Sequence, residues 1–95
     1  MRSELFEWDD GKAAANLRKH RISFDEALTV FDDPYVIVEA DSTHSEEEER
    51  AYATGFSALS RVLLVVYAER QERIRLVSAR RATQEERRKY ESQFE

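Results

Sequence analysis

The chemistry-bearing residues of this chain are its arginines. Twelve of the 15 basic residues are arginine, the side chain whose planar fork matches phosphate and carboxylate oxygens in pairs. Seven cations (Arg73, Arg75, Arg80, Arg81, Arg87, Arg88 and Lys89) share one short stretch with two acids, Glu85 and Glu86. Gathered at one sheet end, such residues would form a phosphate cradle. Arg75 and Arg80 are the sharpest candidates, because an arginine in a strand beside apolar core costs desolvation unless it is paired. Arg81 joins them at the strand-to-helix junction. For Arg87, Arg88 and Lys89 the simpler account is a helix surface with i, i+4 ion pairs.

His20 follows Arg18 and Lys19 at the end of the first predicted helix, where the helix dipole favours a cation. It could act as an acid or base beside phosphate, or hydrogen-bond the last helical carbonyls. Trp8, the sole tryptophan, is a core anchor or a stacking platform for a base. Tyr90 could stack on a base, but its i, i+4 spacing to Phe94 suits core packing equally. His20 and His44 lack ligand spacing. The run Glu46 to Glu49 reads as a solvated loop rather than a cation site. No metal and no cofactor are expected. Gly-rich phosphate loops, H-E-x-x-H, G-x-S-x-G and cysteine nucleophiles are absent.

The elements that must position these residues follow from patterning. Leu5 to Trp8 reads as a short strand, with Phe6 and Trp8 on one face. Asp9 or Asp10 caps a helix over about 12–20. Ser23 and Glu26 form a capping box, with Ile22 as the staple against Ala27. Phe24, Ala27, Leu28 and Phe31 trace the apolar stripe of a second helix, which stops at Asp32-Asp33-Pro34. Tyr35 to Glu39 is a β-branched strand, and Asp41 to Glu49 a polar loop. Arg50 to Phe56 alternates. Val62 to Tyr67 is apolar on both faces, as in a central strand. The last strand runs from Arg73 to Ala79, with Ile74, Leu76 and Ser78 facing away from Arg75, Val77 and Ala79. Turns fall at 57–60 and 69–72. Thr83 and Glu86 box the start of a terminal helix over 84–93. The order β-α-α-β-β-β-β-α implies an α+β fold, an antiparallel meander covered by helices.

Ninety-five residues allow a single domain, 1–95, with a modest core. Cysteine is absent, which excludes a disulfide framework and thiolate metal sites. The longest apolar run, Val62 to Ala68, is too short to span a membrane. The acidic N-terminus does not read as a signal peptide, so a cytoplasmic protein is expected. The net charge of −5 conceals a split. Residues 1–50 carry 14 acids and 6 bases, whereas residues 51–95 carry 6 acids and 9 bases.

Two ordered sets of residues carry a resemblance over nearly the whole chain. The first is Phe6-Glu7-Trp8-Asp9, Lys12, Asn16, Lys19-His20, Ile22-Ser23-Phe24, Glu26-Ala27 and Val30-Phe31. The second is Glu49-Arg50, Gly55, Val65-Val66-Tyr67, Ile74-Arg75, Ser78-Ala79-Arg80, Ala82-Thr83, Glu86-Arg87 and Tyr90-Glu91. Together they resemble the BrnT toxins. Arg21 departs from the pattern, which commonly has glycine there, the residue suited to the position after a helix end.

The resemblance implies a toxin of a type II toxin–antitoxin system with a RelE-like fold, which cleaves RNA and blocks translation. It implies a BrnA-like antitoxin with a ribbon-helix-helix domain as partner in a hetero-oligomer. Operator DNA would be reached only through that antitoxin. Such a ribonuclease needs no metal. Its site residues would be His20 as acid/base and Arg75 and Arg80 as phosphate stabilisers, with Lys19, Arg81, Trp8 and Tyr90 contacting substrate. The competing reading is a non-catalytic co-repressor subunit of a DNA-binding antitoxin complex.

Overall fold

A computed structural model describes residues 5–41 and 49–95. The element order is β1 (Phe6–Glu7), α1 (Asp10–His20), α2 (Phe24–Thr29), a 3-10 turn (Val30–Asp32), β2 (Ile37–Asp41), β3 (Glu49–Phe56), β4 (Val62–Arg70), β5 (Arg73–Arg81), α3 (Gln84–Glu91) and a final 3-10 turn (Ser92–Phe94). The α+β class and the β-α-α-β-β-β-β-α order are those expected. Within the expected acidic loop, Asp41 and Glu49 belong to strands; its remainder, with His44 and Glu46 to Glu48, lies outside the described residues.

The strands form one sheet in the order β1-β5-β4-β3-β2. β2 to β5 make an antiparallel meander. β1 instead joins β5 in parallel, with Phe6 opposite Ile74 and Glu7 opposite Arg75. The β4–β5 turn is tighter than the sequence suggests. Only Gln71 and Glu72 separate the strands, with φ of 52° and 65°, the left-handed pair that matches the twist of a two-residue hairpin.

One face of the sheet holds the core. Ile22, Phe24, Ala27 and Val30 pack against Ala53, Leu63, Val65, Tyr67, Leu76 and Ala79. Both apolar stripes predicted from spacing supply it, because helical and strand periods each turn one set of side chains inward. Gly55 is required here, since a Cβ on it would meet Val30 Cγ1 at 2.9 Å. α3 lies across the opposite face, where Lys89 Nζ reaches Glu39 at 2.8 Å.

Regular alternation fails in β5, and this corrects the sequence reading. Val66 pairs with Ser78 but Tyr67 pairs with Leu76, so Val77 has no cross-strand partner. The extra residue is a β-bulge. It exchanges the faces beyond it: Leu76 and Ala79 both enter the core, so Ser78 turns outward with Arg75. Strict alternation would place Arg75 and Arg80 on opposite faces. The bulge puts them on the same one, across from Ala68 and Leu64 respectively.

Asn16 closes the edge that the short β1 leaves open. Its Nδ2 donates to the Ala79 carbonyl at 2.8 Å and to the Ile22 carbonyl at 3.0 Å, while its Oδ1 accepts from the Ala79 N–H at 3.0 Å. One side chain thus stands in for a neighbouring strand, so a buried edge keeps its backbone groups paired. Arg21 ends α1 in the left-handed region, with φ of 60°, and its N–H bonds the Leu17 carbonyl. This is the conformation glycine adopts there without a Cβ penalty.

Candidate active site

α1 runs alongside β5 in the same direction. The carboxylate of Asp9, its N-cap, is held below the usual range by the Lys12 and Gly11 N–H groups, and also feels Arg75. Seven residues on, Asn16 is bonded to Ala79. From there the helix rises about 6 Å to His20, and β5 extends about 7 Å to Arg81. The last turn of α1 therefore stands level with the end of β5. Lys19 and His20 share that end of the molecule with Arg80 and Arg81. Lys19 and Arg81 are exposed, and His20 is half-buried.

The predicted convergence of the arginines is only partial. Arg75 sits at the other end of β5, about 13 Å from Arg80 along the strand. Arg80 is tied down. Its Nη1 and Nη2 donate to the two carboxylate oxygens of Glu86 at 2.9 and 3.0 Å. That fork first, with burial opposing and the Thr83 N–H assisting, holds Glu86 below the usual glutamate range. Glu86 also completes the α3 capping box with Thr83. Arg80 thus welds the strand end to the start of α3, and a phosphate there would share its guanidinium with Glu86.

Trp8 packs edge-on against Phe24 with ring centroids 5.8 Å apart, beside the core, so the structure favours its anchoring role. Tyr90 is 5% exposed, and its ring has no open face for a base. Its hydroxyl donates to Asp33. Burial, and then that carboxylate, push the phenol far above its ordinary value. Burial disfavours the Asp33 carboxylate, but hydrogen bonds from Tyr90, Phe56 and Tyr35 outweigh it and hold the group below the usual range.

Sequence reasoning missed Arg61. Glu26 looks like the second half of a capping box, and Ser23 does accept from the Glu26 N–H at 3.0 Å. The Glu26 carboxylate, however, turns away. It takes Arg61 Nε and Nη2 at 2.8 and 2.6 Å, and the Ser57 hydroxyl at 2.7 Å. Its side chain is 3% exposed. A carboxylate buried to that degree needs a cation, but its burial comes from tertiary packing and leaves no mark in the sequence. The Arg61 hydrogen bonds, against the cost of burial and with help from Ser57, lower the Glu26 pKa. A depressed folded-state pKa contributes stability above the unfolded value, and that contribution is lost as pH falls through the folded one. Glu26→Gln is therefore expected to narrow the gap between urea midpoints at pH 7 and pH 3. An unchanged gap would show that Glu26 does not drive the acid sensitivity.

A family model described as "Ribonuclease toxin, BrnT, of type II toxin-antitoxin system" matches residues 8–86. The chain belongs to the BrnT family. The matched span contains Trp8, Lys19, His20, Arg75, Arg80 and Arg81, and ends on the Glu86 that holds Arg80. The crystal structure of the Brucella abortus ribonuclease toxin BrnT is similar to this chain, with a TM-score of 0.62 and 19% identity. The match covers 84% of this chain and 99% of that one, and it establishes the common BrnT fold. The search of curated proteins finds no match. As a BrnT family member the chain is a toxin of a type II system, whose counterpart is an antitoxin. Among the described residues, no helix of this BrnT chain is long and apolar enough to cross a membrane.

Proposed function

We propose that this chain is an endoribonuclease that directs an RNA 2′-hydroxyl onto the adjacent phosphate, and so blocks translation. The observation that carries this reading is the alignment of α1 with β5, which brings Lys19 and His20 level with Arg81 in a chain of the ribonuclease-toxin family. The 2′-oxygen forms a bond to phosphorus and the bond to the 5′-oxygen breaks. The products are a 2′,3′-cyclic phosphate and a free 5′-hydroxyl. His20 moves one of the two protons, taking it from the 2′-hydroxyl or giving it to the leaving oxygen, while the other exchanges with solvent. Lys19 and Arg81 face the charge that builds on the phosphoryl oxygens. Arg80 adds its field from behind, and Arg75 meets a more distant phosphate of the same strand. Trp8 and Tyr90 support the site through packing.

The antitoxin in this reading is BrnA-like, with a ribbon-helix-helix domain, and operator DNA is met only through it. Purified protein incubated with RNA is expected to leave 2′,3′-cyclic phosphate and 5′-hydroxyl ends. A strand with 2′-deoxyribose at the cut position should stay intact. Cleavage of that deoxy position, or 5′-phosphate ends, would overturn the mechanism.

A further inference from the structure

A polar cleft of about 370 Å³ opens where the β3–β4 turn, the exit of β5 and α3 meet. Its lining includes Phe56, Arg61, Arg81, Arg87 and Glu91. The three cations differ in commitment. Arg61 spends its Nε and Nη2 on Glu26. The side chains of Arg81 and Arg87 make no hydrogen bond or ion pair with any described residue, although Arg81 lies within electrostatic range of Glu26. Glu91 is the one carboxylate in the lining. Two unengaged guanidinium groups therefore face a shared space, and Glu91 opposes part of their charge.

Phe56 gives the cleft its second character. It ends β3 as a large apolar ring that is 46% exposed. Phe56 also borders another cavity, lined by Asp33, Pro34 and Ala58 among others. Its backbone is fixed, because the Phe56 N–H donates to Asp33 at 2.8 Å. An exposed aromatic ring on a fixed strand end, beside two unengaged guanidinium groups, combines a stacking surface with phosphate contacts.

We infer that this cleft holds one nucleotide of single-stranded RNA, with its phosphate on Arg81 and Arg87 and its base against Phe56. The inference rests on the ribonuclease reading above. Arg81 belongs to both places, so the bound nucleotide neighbours the scissile phosphate. The cleft then sets which part of the strand is presented to His20. Arg87, which looked like ordinary helix surface by sequence, becomes a substrate contact.

The test uses a single-stranded 2′-O-methyl RNA oligonucleotide, which lacks the attacking hydroxyl and so reports binding alone. Phe56→Ala is expected to weaken its Kd on the order of tenfold, with an unchanged salt slope. Phe56→Trp is expected to keep the affinity. Arg87→Gln is expected to weaken binding and to lower the log–log salt slope by about one. Both positions are exposed, and matching urea midpoints confirm that the variants are folded. Wild-type affinity in Phe56→Ala and Arg87→Gln, alongside normal cleavage by the parent protein, overturns the cleft but leaves the ribonuclease reading standing. A parent protein that neither cleaves RNA nor binds the oligonucleotide overturns both. Variants that bind RNA normally but lose affinity for an acidic peptide assign the cleft to protein instead and overturn the inference.

Discussion

Replacing His20 with alanine is expected to slow RNA cleavage by about 10²–10⁴-fold, the usual contribution of one positioned acid or base. The fold should survive. The imidazole is half-buried at the end of α1 and makes no hydrogen bond with a described residue, so its removal leaves no buried group unpaired. Arg21, which follows it, keeps its own bond to the Leu17 carbonyl. Single-turnover cleavage, with circular dichroism as the folding control, separates chemistry from stability. A variant that cleaves at the parent rate removes His20 from the site. Arg80→Ala is a poorer probe, because it also frees Glu86 from its bidentate partner and loosens the start of α3.

Asn16→Ala is expected to cost about 3 kcal/mol or more, since each buried polar group left without a partner costs about 1–3 kcal/mol. Three backbone groups lose their partner at once: the N–H and carbonyl of Ala79 and the carbonyl of Ile22. Asn16 is 6% exposed, so water does not readily replace it. Against a total of about 5–15 kcal/mol for a small domain, the loss is severe. Asn16→Asp should fare no better, because a carboxylate cannot donate to the two carbonyls and brings a buried charge. Urea unfolding of both variants is the measurement. A loss below about 1 kcal/mol in the alanine variant would mean that the edge of β5 is satisfied some other way.

Much of this architecture is legible in the sequence where a local rule coincides with the global need. Ser23, Thr83 and Asp9 cap helices because their side chains reach the N–H groups two or three residues on. Val62 to Tyr67 reads as central strand because both of its faces are covered. Arg21 stands out in the sequence for the backbone conformation it turns out to adopt. The misreadings share a different cause. Val77 carries no mark of a bulge, because the bulge comes from the register between β4 and β5 rather than from its own side chain. Glu26 satisfies a capping pattern, yet tertiary contact with Arg61 wins, since a nearly buried carboxylate gains more from a guanidinium than from one backbone N–H. The parallel union of β1 with β5 is set by residues far apart in the chain. Position within the fold also divides the candidate site. Lys19, His20, Arg80 and Arg81 come to one end because α1 is fastened along β5, whereas Arg75 is carried away by the length of the strand.

The fastening of the first elements to the last strand has a consequence for how the molecule comes into being. β1 finds its partner only in residues 74 and 75, and Asn16 finds two of its three contacts only in Ala79. Contacts this distant in sequence form late, because a long loop must close first. During synthesis, the segment that carries Lys19 and His20 emerges before β5, and it has no β5 to dock against until residues 73–81 have been made. An interrupted translation product ending before β5 would carry His20 but neither Arg80 nor Arg81. The two sides of the candidate site therefore come together only after β5 has been made, well after the segment that carries Lys19 and His20.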